Sequence, residues 1–228
     1  MKRVTVAGPE HREAIADLIV SSYEASGDFE VVDSSTLRNQ CLNPPPASIA
    51  FIACDGQRVL SVMHGLLCFS PGQATSALPY IVQPDPEACT PCLTLFRAAT
   101  IPELRRSALN ALLRLHFLRL ALNRNMRYMV GTVYLGAQRT RSMEAMGYTF
   151  EPCTETGAIL GKTKLPTRLA ILDLGIQAAK AEAHLLSLVD NLQREYPFHR
   201  AFTELRALAP YTPPENVALC RLKNSNEI

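Results

Sequence analysis

The 228-residue chain lacks a dominant charge, a long apolar run and a full set of metal ligands, and each absence removes a class of function. Its 23 Lys and Arg against 21 Asp and Glu leave a net charge of +2, too small an excess to indicate a nucleic-acid partner. No stretch approaches the ~18 consecutive apolar residues of a membrane helix. Met1 to Arg3 have no apolar run behind them, so neither a membrane span nor a secretory leader is expected, and the expected location is cytoplasmic. Cys89 and Cys92 form one CxxC, yet a zinc site needs two further ligands that no second CxxC or HxxxH supplies, so no metal is expected. The seven cysteines are an odd number scattered through apolar segments, as Cys54, Cys68 and Cys220 show, which fits reduced thiols packed as small core residues.

A hydrophobic fraction of 47% with 19% charged residues argues for a packed chain and against disorder. The length suits one domain with an appendage: residues 1–165 as an α/β domain and 166–228 as a helical extension packed on it. Glu10 to Ala25 has the spacing of a first helix, with Ala14, Leu18, Ile19 and Tyr23 facing inward. Asp28 to Asp33 is expected as a loop or short strand, and Leu37 to Leu42 as a helical turn before Pro44-Pro45-Pro46. Ser48 to Cys54 and Arg58 to Phe69 alternate around Asp55-Gly56, a hairpin signal. The stretch from Ser70 to Ala88 holds four prolines, is expected to be irregular, and is long enough to cover a site.

The chain is most informative from Leu93 to Phe150. CLTLFRAAT, Cys92 to Thr100, mixes apolar and β-prone residues and predicts a strand. Pro102 and Glu103 suit the first turn of a helix running to about Arg124, with Leu104, Ala108, Leu112, Leu115, Leu118 and Leu122 on one face. Leu109, Leu113, Phe117 and Leu120 occupy other faces, so burial on more than one side is expected, with Arg106, Asn110 and Arg114 as the wet stripe. Tyr128 to Tyr134 should then pair beside the first strand as a βαβ crossover. Arg105, Arg106 and Ser107 at a helix start suit an anion, because free N–H groups, the helix dipole and two guanidinium groups favour phosphate there. The competing reading is a solvated helix start.

The run IPELRRSALNALLRLHFLRLALNRNMRYMVGTV resembles the core of GNAT-type acyltransferases, in which a strand leads through an Arg- and Gly-rich turn into the phosphate-holding helix. QRTRSMEAMGYTFEP resembles the closing helix and Gly-Tyr-aromatic strand of the same superfamily. SSYEASGDFEV, SPGQATSALP, the Arg97 strand, and FEP followed by a Pro-Thr segment are similar to the N-acyl amino acid synthases, cousins of the acyl-homoserine-lactone synthases. The resemblance implies a mixed central sheet with splayed parallel strands flanked by helices. It implies transfer of a fatty acyl group from acyl carrier protein phosphopantetheine or acyl-coenzyme A to the amine of an amino acid or related compound. It also implies that main-chain groups of Ala98, Ala99 and Thr100 bind the pantetheine arm, and that Arg105, Arg106, Ser107, Ala108 and Asn110 form the phosphate turn.

The chain departs from that pattern at several positions. Ala108 and Asn110 stand where the turn usually has glycine, Thr94 where an acidic residue is usual, and Met143 where a Tyr often protonates the leaving thiolate. Neither Thr94 nor Met143 can do acid or base work. A thiol leaves readily, so a base matters more than an acid. His64, mid-strand in SVMHGLL, is either that base or a hydrogen-bonded core histidine. Arg97, in an apolar strand, either holds a substrate carboxylate or pairs with a structural Glu such as Glu24 or Glu30. Tyr134 either donates to the thioester or packs at the rim, whereas His116 and His199 have no recognisable partners and are assigned structural places. An acidic carrier protein would meet Arg114, Arg119, Arg124 or Arg127 on an exposed rim. Ile171 to Glu195 reads as an amphipathic helix, with Leu172, Ile176, Ala179, Ala183, Leu186, Val189 and Leu192 on one side, that covers the acyl pocket or makes a homodimer contact. Beyond Pro210, Pro213 and Pro214, Val217 to Leu222 adds at most one short strand. Two functions remain open: an N-acyltransferase, and a catalytically degenerate fold that binds an acyl thioester, a lipid-like signal or a protein partner without turnover.

Overall fold

Alternating apolar segments and helical stripes place β1 (Lys2–Val6), α1 (Arg12–Glu24), β2 (Phe29–Val32), α2 (Ser34–Leu42), β3 (Ile49–Asp55) and β4 (Arg58–Cys68) in the first third of the chain. They are followed by α3 (Pro71–Ala77), β5 (Tyr80–Val82), β6 (Cys92–Thr100), α4 (Leu109–Asn123) and β7 (Tyr128–Tyr134). The last elements are α5 (Gln138–Met146), β8 (Thr149–Glu155), β9 (Gly161–Thr163), β10 (Thr167–Asp173) and α6 (Leu174–Glu195). The structure is a computed structural model and describes residues 2–27, 29–77, 80–82, 89–134, 138–155, 161–163 and 166–195. Cys220, His199, the prolines from Pro210 and the strand expected at Val217 to Leu222 lie outside the described residues.

Eight strands form one mixed sheet in the order β1-β3-β4-β6-β7-β10-β8-β5, while β2 and β9 form a separate two-stranded ribbon. The hairpin expected at Asp55-Gly56 is present: Asp55 pairs with Arg58, and Gly56 takes φ 60° in the turn between them, a conformation glycine adopts without steric cost. β6 and β7 run parallel as neighbours, joined by α4, as the crossover reading predicts. α4 is buried on several sides, with Leu109, Leu112, Leu113, Leu115, Phe117 and Leu118 each at most 1% exposed. Phe117 presses on β4 so closely that a Cβ at Gly65 would stand 2.4 Å from its ring. Successive residues of a strand face opposite sides, so His64 faces away from α4, toward the layer of α1 and α2.

Several boundaries differ from those expected. The helix after β6 begins at Leu109 rather than Pro102, because Pro102–Leu104 forms a 3-10 turn and the chain then passes through left-handed Arg106 and Ala108. Leu122, assigned to its inner face, is 37% exposed where the helix runs out beyond the sheet. In α1 the inward residues are Ile15, Ala16, Leu18 and Ile19, and Ala14 faces solvent, since the helix starts at Arg12 after a 3-10 turn. The segment after Ser70 is not wholly irregular: it contains α3 and β5, the latter paired with β8. Ile171 and Leu172, expected to open the last helix, belong to β10, which lies between β7 and β8.

That earlier strand resets the helical phase of α6. Its buried line is Leu174, Ala181, Leu185 and Val189, whereas Ile176 is 76% exposed and Ala179 and Ala183 also face out. α6 packs on α4 and α5, where Arg119 Nε donates to Glu182 Oε1 at 2.9 Å and His184 Nε2 lies 3.1 Å from Ser142 Oγ. Among the described residues no helix is long and apolar enough to cross a membrane.

Candidate functional site

β6 and β7 pair for only part of their length. Cys92, Leu93, Thr94 and Leu95 stand beside Tyr128, Met129, Val130 and Gly131, and there the ladder stops. β6 continues against β4, and β7 continues against β10 as far as Tyr134 opposite Thr167. The carboxyl ends of two adjacent parallel strands therefore part, which is where open α/β sheets place ligands.

The cause of the parting is a bulge in β6. His64 pairs with Phe96 and Val62 with Ala99, so Arg97 and Ala98 together oppose Met63. Arg97 takes φ 48°, a left-handed conformation costing a non-glycine residue about 1 kcal/mol. The bulge rotates the strand and changes which main-chain groups face the gap. Ile101 N–H donates to Leu60 O at 3.0 Å, so alternation turns Ala99 toward β4 and the main-chain groups of Ala98 and Thr100 toward β7. The Ala99 carbonyl also accepts the Ser61 hydroxyl at 3.0 Å, and Ser61 Oγ lies 2.8 Å from Thr100 Oγ1. Of the three residues expected to offer main-chain groups, Ala98 and Thr100 are placed to do so and Ala99 is turned away.

Beside the bulge, the Arg97 guanidinium reaches α2. Nη1 donates to Gln40 O at 2.7 Å and Nη2 to Gln40 Oε1 at 2.8 Å, in place of the Glu24 or Glu30 partner considered from the sequence. It also lies 5.3 Å from the Phe96 ring centroid. Burial pulls the Arg97 pKa below its ordinary value, against weaker opposing effects of Cys41 and Tyr23. His64 is 3% exposed, stands 5.6 Å ring to ring from Phe96, and has no hydrogen-bond partner for Nδ1. Burial first and Arg97 second push its pKa down to about 3. The ring is thus neutral near pH 7 and a weak proton acceptor, poorly matched to deprotonating an ammonium group. Tyr134 is buried at the end of β7, edge-on to Phe29 at 5.4 Å, and Phe29 stacks on Tyr23 at 5.4 Å. This aromatic row ties the ribbon strand β2 to the open end of β7, an association the sequence did not suggest.

The basic turn lies between the bulge and α4. Arg105 and Arg106 are exposed, with Arg106 at φ 74° and Ala108 at φ 60°. The first α4 backbone bond runs from Leu112 N–H to Ala108 O, leaving the N–H groups of Leu109, Asn110 and Ala111 without a partner inside the helix. Ser107 is turned inward instead: its N–H and hydroxyl both donate to Leu104 O, at 3.1 and 2.6 Å. Of the residues expected in the anion turn, Arg105, Arg106, Ala108 and Asn110 lie together at the entry to α4, while Ser107 shapes the turn and has spent its donors.

Other expected groups are not gathered here. Thr94 is fully buried, its Oγ1 3.5 Å from Cys68 Sγ and 3.7 Å from Cys92 Sγ, and Met143 is buried in the core. His116 is buried in α4 with its ring 5.5 Å from that of Phe51, and burial and Arg119 lower its pKa to about 4. The four arginines expected on one rim are dispersed. Arg114 donates to Tyr148 Oη at 3.1 Å, Arg119 is bound to Glu182, and Arg124 and Arg127 follow the far end of α4, about 22 Å from the turn. A depression of about 530 Å³ lined by Leu122, Met126, Arg127, Asp173 and Ile176 also lies at that far end. Among the described residues no cluster of three or more His, Cys, Asp or Glu side chains is arranged to hold a metal ion.

No family model matches the chain, and no curated protein matches it. Solved structures do. FeeM, an N-acyl amino acid synthase from uncultured soil microbes, is 13% identical with a TM-score of 0.53, over 82% of this chain and 99% of that one. BjaI, a CoA-dependent acyl-homoserine lactone synthase solved with SAM and isopentyl-CoA, is 14% identical with a TM-score of 0.51, over 84% and 90%. An acetyltransferase of the GNAT family from Staphylococcus aureus is 10% identical with a TM-score of 0.50, over 76% and 99%. At these identities the likeness establishes the fold, which is that of the GNAT acyltransferases.

Proposed function

We propose that this protein is an N-acyltransferase that moves an acyl group, fatty in the fullest form of this reading, from a coenzyme A or acyl carrier protein thioester to the amine of a small molecule. The observation that carries the proposal is the parting of β6 and β7 immediately before an exposed basic turn and a helix start. A pantetheine arm in the gap would find main-chain groups of Ala98 and Thr100, and its phosphate would find Arg105, Arg106 and the first N–H groups of α4. These elements succeed one another in the chain, so an extended donor can engage both at once. Attack by a neutral amine on the thioester carbonyl needs little beyond alignment and stabilisation of the oxyanion, since the thiolate departs without an acid. Tyr134 closes the open end of β7, and His64 and Arg97 line the side toward α1 and α2. A cytoplasmic location belongs to this reading as the compartment of both donors.

The second reading, a binding protein without turnover, is favoured by Thr94 and Met143, which occupy the usual acid and base positions and are buried in apolar or thiol surroundings. The two readings separate in one experiment. Lipid extracts of cells expressing the wild-type chain and an Arg105→Ala/Arg106→Ala variant are compared by mass spectrometry for acyl amides. New amides that disappear in the folded variant support acyl transfer. Their absence from both, with soluble protein and supplied acyl donors, supports the binding reading. Purified protein given acyl-coenzyme A and acyl carrier protein in parallel then identifies the donor.

A further inference from the structure

Four of the six described cysteines meet in one place away from the gap between β6 and β7. Cys68, Cys89 and Cys92 are buried in a small apolar cluster with Leu66, Val130 and Leu169, and half-buried Cys153 packs against it. The CxxC of Cys89 and Cys92 supplies two of these thiols, and β4 brings the third, Cys68, from far along the chain. Cys68 ends β4, Cys92 begins β6, and the two stand directly opposite in the antiparallel ladder. Opposite residues send their side chains to the same face with Cα atoms about 4.5–5.5 Å apart, inside the span of a disulfide. Both sulfurs reach one hydroxyl, Thr94 Oγ1, at 3.5 and 3.7 Å, and the Cys92 thiol donates to the Cys68 sulfur. The bond from Cys92, helped by Thr94, holds the Cys68 pKa below the ordinary thiol value against the opposite effect of burial, while that of Cys92 is raised. Cys41, equally buried, is shifted upward by burial, and Cys54 Sγ has the carbonyl of Arg3 as its neighbour at 3.8 Å.

We propose that Cys68 and Cys92 are a redox-active dithiol, reversibly oxidised by a hydroperoxide to a disulfide that ties the end of β4 to the start of β6. Cys68 is the nucleophile, because its anion is the one that Cys92 and Thr94 support. Its thiolate, the proton having gone to solvent, attacks one oxygen of hydrogen peroxide and breaks the O–O bond, giving a sulfenic acid and hydroxide, which solvent protonates to water. The Cys92 sulfur then attacks the Cys68 sulfur, the S–O bond breaks, and the Cys92 proton leaves with the hydroxyl as a second water. Two thiols are oxidised and one peroxide is reduced to two waters; a dithiol reductant reverses the cross-link by exchange. Both cysteines are strand ends, where a ladder opens at least cost, and the peroxide is small and uncharged, so brief local opening admits it. The bond joins β4 to the half of β6 that stays paired with β7 and leaves Ala98 to Thr100 outside it, so this site stands or falls independently of acyl transfer.

The test uses the full chain, reduced, freed of reductant and exposed to a small excess of hydrogen peroxide. It is then denatured, alkylated, cut with chymotrypsin after Phe69 and Tyr80, which lie between the two cysteines, and mapped by mass spectrometry without reduction. The expected product is a monomer in which the Cys68 and Cys92 peptides are joined, Cys89 is alkylated and dithiothreitol releases the link. The pair should be consumed at least about tenfold faster than Cys41 and Cys54. Closing the chain between the two cysteines should raise the thermal midpoint by roughly 5–10 °C, a rise that Cys92→Ala abolishes. A link between Cys89 and Cys92, a link only between chains, or sulfinic acid at Cys68 without a link overturns the proposal. So does consumption of Cys68 and Cys92 no faster than that of Cys41 and Cys54. Should Cys92→Ala fail to fold, the wild-type peptide map decides by itself.

Discussion

The two halves of β6 meet the same neighbouring strand and do opposite things with it. Cys92 to Leu95 lie flat against β7, and the fit is tight enough that a Cβ on Gly131 would stand 3.0 Å from Leu95 O. Phe96 to Thr100 leave β7, bulge against β4 and carry an unneutralised arginine. The first half holds the sheet together through a parallel ladder of buried residues. The second leaves groups unpaired at an edge, which costs stability unless a ligand occupies them. The candidate site is thus made by stopping a ladder partway, and the paired half is what keeps the open half in place.

The comparison breaks most severely from the closed side. Leu93 is fully buried in the paired half, and Leu93→Ala should cost about 2–5 kcal/mol in urea unfolding. It should leave acyl transfer per folded molecule unchanged; a larger loss would mean that the two halves are not separable.

Acid probes two buried rings next, of which only His64 stands beside the open side. His64 and His116 have folded pKa values of about 3 and about 4, both below the ordinary 6.5. The unfolded chain therefore takes up protons first. The stability these rings contribute is fully present above pH 6.5 and is lost as the pH falls, through about 4 for His116 and about 3 for His64, by on the order of 1 kcal/mol per pH unit for each. Chemical denaturation at pH 7 and pH 5 should show that loss, and His64→Gln should remove the His64 share of the slope. An unchanged slope in that variant would show that His64 is not buried neutral beside Arg97.

The smallest expected effect sharpens the comparison. Ala108 holds φ 60° where the basic turn enters α4, so Ala108→Gly should raise stability by up to about 1 kcal/mol. It should also lower the KM for the thioester, because the turn reaches its bound shape at less cost. A destabilised variant would argue against the left-handed turn.

Much of this architecture was legible along the chain. The strand at Cys92, the crossover to Tyr128, the hairpin at Asp55-Gly56 and the closing Gly147-Tyr148 pair all come from local patterns of apolar spacing and turn residues. The misplaced boundaries have local causes too. Pro102 and Glu103 carry the signature of a helix start, but a 3-10 turn accepts the same residues, and nothing in the composition of Arg106 or Ala108 announces a left-handed backbone. Ile176 reads as a core residue of the last helix only when Leu172 is counted in its stripe, but Leu172 belongs to a strand whose place is set by pairing with β7 and β8.

The sequence by itself determined which segments are strands and helices, because side-chain periodicity and turn chemistry are properties of neighbours a few residues apart. It also determined that an arginine would stand in an apolar strand and a basic pair at the entry to a buried helix. Only the tertiary structure decided that Arg97 would bind Gln40, that His64 would sit beside it unprotonated, and that β6 would part from β7 after Leu95. Those outcomes depend on strand register and on groups brought together from distant parts of the chain, and no short-range preference encodes which ladder a bulged strand will keep.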